Sequence, residues 1–312
     1  MKHLLPLWMI CCALVSQAQP QQYYDWRWKP CDVSLARFVS VTQKTDSGWL
    51  RKDFFLATRK LQMIGLYKDS LCKVRHGWFR YYYFNEQREA IGKYSNDKKD
   101  GLWVRWYYNG MMRDSSLFRE GMPEYIYAWH SNGYMSDSSV YHANGSSVHV
   151  YWFDNGSIAS AGYASGDKQT GRWKYFHRNG KMAAIEDYDA GKLTARTYYD
   201  EEGVQLQDTT NRDREAEFKG GSSAWRSYLE NKLQFPPNVK LVNTDVITVV
   251  VVATVDEDGK LSDIYIDTPF DPLFNDEAVR VMKKSPKWVP AVSHNRRVKQ
   301  VIRQPVSFGQ YD

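Results

Sequence analysis

An aromatic side chain returns along this 312-residue chain at nearly constant intervals: Tyr82, Trp106, Trp129, Trp152, Phe176 and Tyr199. The spacings are 24, 23, 23, 24 and 23 residues. Three residues after each comes a turn position: Asn85, Asn109, Asn132, Asn155, Asn179 and Glu202. From the second onward a glycine follows, at Gly110, Gly133, Gly156, Gly180 and Gly203. A fixed period of this length means stacked copies of one supersecondary unit. Such units touch mainly their neighbours and build long surfaces, which points to binding rather than chemistry.

The segments GLWVRWYYNG (Gly101 to Gly110) and GRWKYFHRNG (Gly171 to Gly180) show the unit plainly. Each opens on glycine, runs through an alternating aromatic strand and closes on Asn-Gly. That pair tolerates positive φ at both central positions of a two-residue type I′ turn. A second strand then reaches Tyr94, Phe118, Tyr141, Tyr163 or Tyr188, with a looser turn after it. Joined end to end, the units predict a long antiparallel meander. The recurring aromatics are expected to pack the sheet, as cross-strand aromatic pairs do, leaving Tyr83, Tyr107 and Phe153 on the opposite face. His130, His142, His149 and His177 fall at irregular spacing and read as surface or turn residues. These units resemble MORN repeats of the bacterial YwqK antitoxin-like type, over about Gly65 to Gly203. The resemblance implies a scaffold and interaction surface and is nearly silent on chemistry.

The grammar changes after Leu206. Gln207 to Ser223 is polar, ends in Gly-Gly-Ser-Ser and reads as a linker. Ser223 then caps a helix with Trp225, Tyr228, Leu229 and Leu233 on one face, stopped by Phe235-Pro236-Pro237. Val246 to Val255 is a β-branched run suited to a sheet centre, and Asp-Gly at 258–259 turns it into a strand from Leu261 to Asp267. Asp271-Pro272 starts a helix with Phe274, Ala278, Val281 and Met282 inward. Pro286 ends it, and Arg297 to Phe308 is the last strand. This order, with FPPNV, VDEDGKLSDIYI, FNDEAVRVMKKSPKWVPA and QPVSF, resembles the TonB C-terminal domain over about Ala224 to Gly309. The resemblance implies a three-stranded antiparallel sheet with two helices that binds a transporter segment by adding it to a sheet edge. The chain departs from TonB in lacking a Pro-rich spacer, with 11 prolines in all. The expected fold is therefore mainly β plus α+β.

The beginning reads as a secretory signal: Lys2 and His3, an apolar run from Leu4 to Val15, then Ser16-Gln17-Ala18 with cleavage before Gln19. The run is shorter than the roughly 20 residues a helix needs to cross a bilayer. Cys11 and Cys12 lack the small residue that lipidation requires before the modified cysteine. The expected organisation is a signal peptide (1–18), an N-terminal segment (19–64), repeats (65–206), linker (207–223) and C-terminal domain (224–312). The net charge of +6 is weak for this length and no basic block stands out, so nucleic acid is not an expected partner. An exported chain with Cys31 and Cys72 permits one disulfide; two free thiols are the alternative. No nucleophile elbow, Walker loop, dinucleotide fingerprint or zinc motif occurs, and no enzyme activity, cofactor or metal is expected.

The expectation is a periplasmic or cell-envelope protein that binds a peptide, an envelope protein or an outer-membrane transporter segment. Contact with a membrane surface and the oligomeric state stay open. The expected binding edge carries Arg297, Lys299, Val301 and Arg303, with Arg296 beside them. These cations either steer an acidic peptide or discourage edge aggregation. Trp288 reads as a peptide contact or as a core anchor. Two alternatives stand beside this one. One is a structural surface protein whose repeats bind envelope polymer or lipid. The other is a TonB-type energy transducer in transmembrane transport, should the leader be an uncleaved anchor.

Overall fold

The structure, a computed structural model, describes residues 21–242 and 244–310. The expected signal peptide lies outside the described residues. Fifteen strands form one antiparallel meander in strict chain order. They are β1 (Gln21–Tyr24), β2 (Phe38–Thr45), β3 (Gly48–Phe55), β4 (Leu61–Tyr67), β5 (Arg75–Tyr82), β6 (Arg88–Ser95), β7 (Lys98–Trp106) and β8 (Met112–Arg119). There follow β9 (Met122–Trp129), β10 (Met135–Tyr141), β11 (Ser146–Trp152), β12 (Ile158–Ser165), β13 (Lys168–Phe176), β14 (Met182–Asp189) and β15 (Lys192–Tyr198). Of the expected N-terminal segment, residues 21–64 therefore continue the same sheet rather than precede it.

The Asn-Gly turns differ from the two-residue type I′ expectation. Tyr107 N–H donates to Met111 O at 2.8 Å and Gly110 N–H to Tyr107 O at 2.9 Å, which closes a three-residue loop. Gly110 has φ 84°, whereas Asn109 is not left-handed. This is a type I turn followed by a glycine bulge, and the register shifts at Arg105/Trp106 accordingly. Asparagine is used for its side chain instead. Asn109 Oδ1 accepts from Met111 N–H at 3.1 Å, and its Nδ2 donates to Ser131 O in the next turn at 3.2 Å. Asn85, Asn132, Asn155 and Asn179 reach the following turn in the same way. A second ladder runs two positions earlier. Tyr83 and Tyr107 hydroxyls donate to Trp106 O and Trp129 O, and His130 and His177 Nε2 meet Trp152 O and Tyr199 O at 2.8 and 3.0 Å. These two histidines occupy the repeat's tyrosine position, so their spacing is regular after all.

The buried aromatics are not those of the 23–24-residue series, all of which are half-buried. Full burial falls three residues earlier, on Phe79, Trp103 and Trp173. Each ring lies over a glycine of the preceding strand. A Cβ added at Gly65, Gly92 or Gly162 would stand 2.1–2.2 Å from the ring of Phe79, Trp103 or Trp173. Two aromatic cores result, one around Phe79 and Trp103, the other around Trp173, Tyr175 and Tyr198.

The C-terminal part holds α1 (Gly221–Lys232), β16 (Val246–Val255), β17 (Leu261–Thr268), α2 (Pro272–Lys283), the short hairpin β18 (Ala291–Ser293) and β19 (Arg296–Val298), and β20 (Gln300–Gly309). The three longer strands pair antiparallel in the order β17-β16-β20. Ile247, Val249, Val251, Ala253 and Val255 share one hydrophobic core with Phe274, Ala278 and Met282 of α2 and Trp225 of α1. Asp271 caps α2 by accepting from Leu273 N–H. The first helix begins at Gly221, after a left-handed Gly220, so Ser223 is not its cap. Trp288 is buried against Phe218 and Trp225, as a core anchor. The polar stretch 207–223 is seated rather than free. Arg214 and Glu217 bond to Val292 and Val289 through their backbones, and Phe218 enters the core.

The two parts pack together along the row of Asn-Gly turns. Tyr265 of β17 stacks on Tyr108 with ring centroids 4.5 Å apart and meets Tyr83 edge-on at 5.6 Å. Arg37, buried near the start of β2, donates to Thr248 O of β16 and covers the Phe270 ring. Arg178 joins Asp154 to Glu257. At the far end the tip of the β18–β19 hairpin enters the sheet. His294 stacks on Tyr175 at 3.7 Å and pairs with Glu186 at 2.8 Å, while Asn295 donates to Ala183 O and Tyr199 O.

Candidate functional site

The expected edge strand from Arg297 to Phe308 is divided. Arg297 lies on β19, Lys299 in the step between β19 and β20, and only Val301 and Arg303 on β20. Lys299 is ion-paired to Asp154 of the repeat sheet. Burial disfavours a charged Asp154, but hydrogen bonds from Lys299 and Arg178 outweigh it and hold the carboxyl below its usual range. Arg303 reaches across the sheet to Asp267 at 2.7 Å. Arg296 is committed to the repeats, where Nη1 donates to Ala159 O and Phe176 O. The structure thus disperses the basic cluster: Arg297 is exposed, whereas Lys299, Arg303 and Arg296 hold partners.

The edge itself is regular. All ten residues of β20 pair with β16 without a bulge. Gln310 N–H donates to Asp245 O, which fixes the alternation: Ile302, Gln304, Val306 and Phe308 present N–H and C=O to β16. Val301, Arg303, Ser307 and Gly309 present theirs to the other side, where no strand lies among the described residues. Pro305 falls in this outward set, where its missing N–H costs no ladder bond. Val301 is 64% exposed. The opposite edge, β17, is broken by bulges at Val250/Val251 and Val252/Thr254 and by a left-handed Asp263 (φ 48°). Both ends of the fifteen-stranded sheet are partly closed by short returns, with Cys31 N–H on Tyr23 O and Leu206 N–H on Tyr198 O. Among the described residues β20 is the longest sheet edge without a bulge.

A cleft of about 1390 Å³ opens on the face of the repeat sheet over β9–β13 and is closed at one end by Ser293, His294 and Arg296 of the hairpin tip. Its origin is a lapse in the repeat. The position that holds Phe79, Trp103 and Trp173 elsewhere holds Ile126 and His149 in the two central units. Ser160 and Ala164 keep the floor low beside His149, Tyr151, Trp173 and Tyr175. His149 is buried rather than surface-exposed, and burial pushes its pKa down by disfavouring the charged ring. Its Nδ1 and Nε2 each lie 2.8 Å from a serine, Ser139 and Ser147, and Ser139 donates to Asp137 at 2.7 Å. Ser147 is fully buried, so its hydroxyl is not presented to a substrate. Sequence reasoning missed this cleft; the absence of an aromatic at Ile126 and His149 was its readable signal.

Of the two alternatives for Cys31 and Cys72, a disulfide or two free thiols, the structure holds the second. Both are free thiols, Cys72 against Thr42 Oγ1 at 3.9 Å, and burial pushes both up. Among the described residues no group of three or more His, Cys, Asp or Glu side chains is placed to hold a metal ion. Likewise, no helix there is long and apolar enough to cross a membrane. No protein-family model matches the chain, and no curated protein is significantly similar to it.

Proposed function

We propose that this chain is a non-enzymatic, exported cell-envelope interaction protein that captures an extended peptide by strand addition to β20. In this reading the C-terminal module is TonB-like and the meander is a MORN-like scaffold. The partner is a segment of an envelope protein, an outer-membrane transporter among the candidates. The observation that carries the reading is the unbulged β20 edge, whose outward backbone groups at Val301, Arg303, Ser307 and Gly309 have no neighbouring strand among the described residues. Main-chain hydrogen bonds supply affinity in such additions and alternate side chains supply specificity. The repeat sheet supports the reading by anchoring the module through Tyr265 of the opposite edge strand, Lys299 and the hairpin tip. The function proposed is binding; energy transduction is not part of it.

Proline substitution tests it. Val301 and Arg303 are two residues apart, so both amides face outward. Val301→Pro and Ser307→Pro each remove one outward donor and leave the β16 ladder intact, whereas Ile302→Pro breaks a ladder bond. Extended peptides selected from a displayed random library on the full chain serve as probes. Both outward variants are expected to stay folded by circular dichroism and to lose about tenfold in affinity, the effect of about 1.4 kcal/mol. Folded Val301→Pro and Ser307→Pro proteins that bind selected peptides like the parent would overturn the mechanism.

A further inference from the structure

Independently of the β20 edge, we propose that the cleft over β9–β13 is a binding site for an acidic carbohydrate, with Arg296 receiving the sugar carboxylate.

The argument begins with what Arg296 lacks. Its guanidinium is inserted between the rings of Phe153 and Tyr175, 5.4 and 5.3 Å from their centroids. Nη1 carries both carbonyl bonds, and Nε is buried without an acceptor. Among the described residues no carboxylate lies within ion-pair distance of it. The nearby Glu186 is already held by His294 and Tyr188. A cation removed from water and left unpaired is costly, and burial depresses its pKa to about 10. Such a group at the wall of a cleft is a socket for an anion.

The remaining lining selects the kind of anion. The floor is the face of a sheet, not its edge, so its backbone groups are already paired in the ladders β11–β12 and β12–β13. A peptide main chain would find no partners there. Recognition must come from side chains. Rings and hydrogen-bonding groups are interspersed: Tyr141, Tyr151 and Trp173 beside Gln169, Ser160 and His142. Rings accept the C–H faces of a pyranose, and scattered polar groups match its hydroxyls. An acyl chain would leave those polar groups desolvated and unpaired. The volume exceeds that of the usual small-ligand pocket, about 300–1,000 Å³, which favours more than one sugar unit. Both parts of the molecule build the site, since Arg296 comes from the hairpin and the floor from the repeats.

The test uses the full chain, titrated by calorimetry with oligosaccharides of glucuronate, galacturonate and mannuronate and with their neutral counterparts. At least one uronate is expected to bind about tenfold or more tightly than its neutral form, the scale of one charge-assisted pair. Arg296→Gln should erase that preference. Ser293→Trp places a ring at a half-exposed position of the cleft lining, should leave circular dichroism unchanged and should abolish binding; it keeps the test decisive if Arg296→Gln fails to fold. Four results would overturn the proposal: no uronate binding, equal affinity for neutral sugars, undiminished binding by folded Ser293→Trp, or displacement of the sugar by an acidic peptide.

Discussion

Single residues set the shape of the repeat sheet through ring-on-glycine contacts. Gly162 lies under Trp173, with no room for a Cβ. Gly162→Ala should therefore cost about 1–3 kcal/mol by overpacking. Trp173→Ala should cost about 3–5 kcal/mol through loss of a buried ring. The double variant should be less destabilised than the two summed, because the clash disappears with the ring. Urea denaturation of the three proteins measures the coupling, and strict additivity would mean that ring and glycine are not in contact. In the first core, Trp103→Ala should cost more than Trp129→Ala, since Trp103 is buried and Trp129 half-exposed. The periodicity was legible in the sequence, but the buried position was misassigned by three residues. Tyr82, Trp106 and their successors recur more faithfully than the core rings. Burial was decided instead by the small residue opposite, as at Gly92 and Gly162, a pairing that spacing alone does not show.

At the scale of the elements, the Asn-Gly hairpins were located correctly and given the wrong geometry. The dipeptide suits both a type I′ turn and a type I turn with a glycine bulge, and the loop-closing bond from Gly110 N–H to Tyr107 O decides for the second. The asparagine amide, free of the need for positive φ, links one turn to the next. Asn109→Ala removes bonds to Met111 N–H and Ser131 O and should cost about 1–2 kcal/mol. Asn109→Asp keeps the acceptor, loses the donor and should fall between, by thermal unfolding at pH 7. An alanine variant as stable as the parent would leave the ladder without energetic weight. The C-terminal strands and α2 followed from the β-branched run at Val246–Val255 and the Asp-Pro start. What failed there was the last strand, because nothing between Arg297 and Val301 announces that the chain leaves one hairpin and joins another sheet.

At the scale of the whole molecule, the docking of the two parts was not legible at all. Tyr108 and Tyr265, or Asp154 and Lys299, are far apart in sequence and carry no mutual signal; only folding brings them together. That interface holds a pH-sensitive group. Burial pushes the Glu89 carboxyl up to about 7, with Asp267 adding to the effect against Arg113 and Arg105. A carboxyl whose pKa is raised in the folded state contributes stability below its ordinary pKa and loses it as pH rises through the folded value. Stability should therefore fall between about pH 4.5 and pH 8, by up to about 3 kcal/mol from this group. Glu89→Gln should flatten that portion of the profile, and equal slopes in both proteins would exclude Glu89 as its source. The central claim concerns the unbulged β20 edge, which has no neighbouring strand among the described residues. Amide hydrogen exchange, resolved by residue with and without a selected peptide, tests it most directly. The account predicts that Val301, Arg303, Ser307 and Gly309 exchange fast in the free protein and become protected on binding, while Ile302, Gln304, Val306 and Phe308 are protected throughout. A bound peptide that leaves those four outward amides exchanging as fast as before would contradict it.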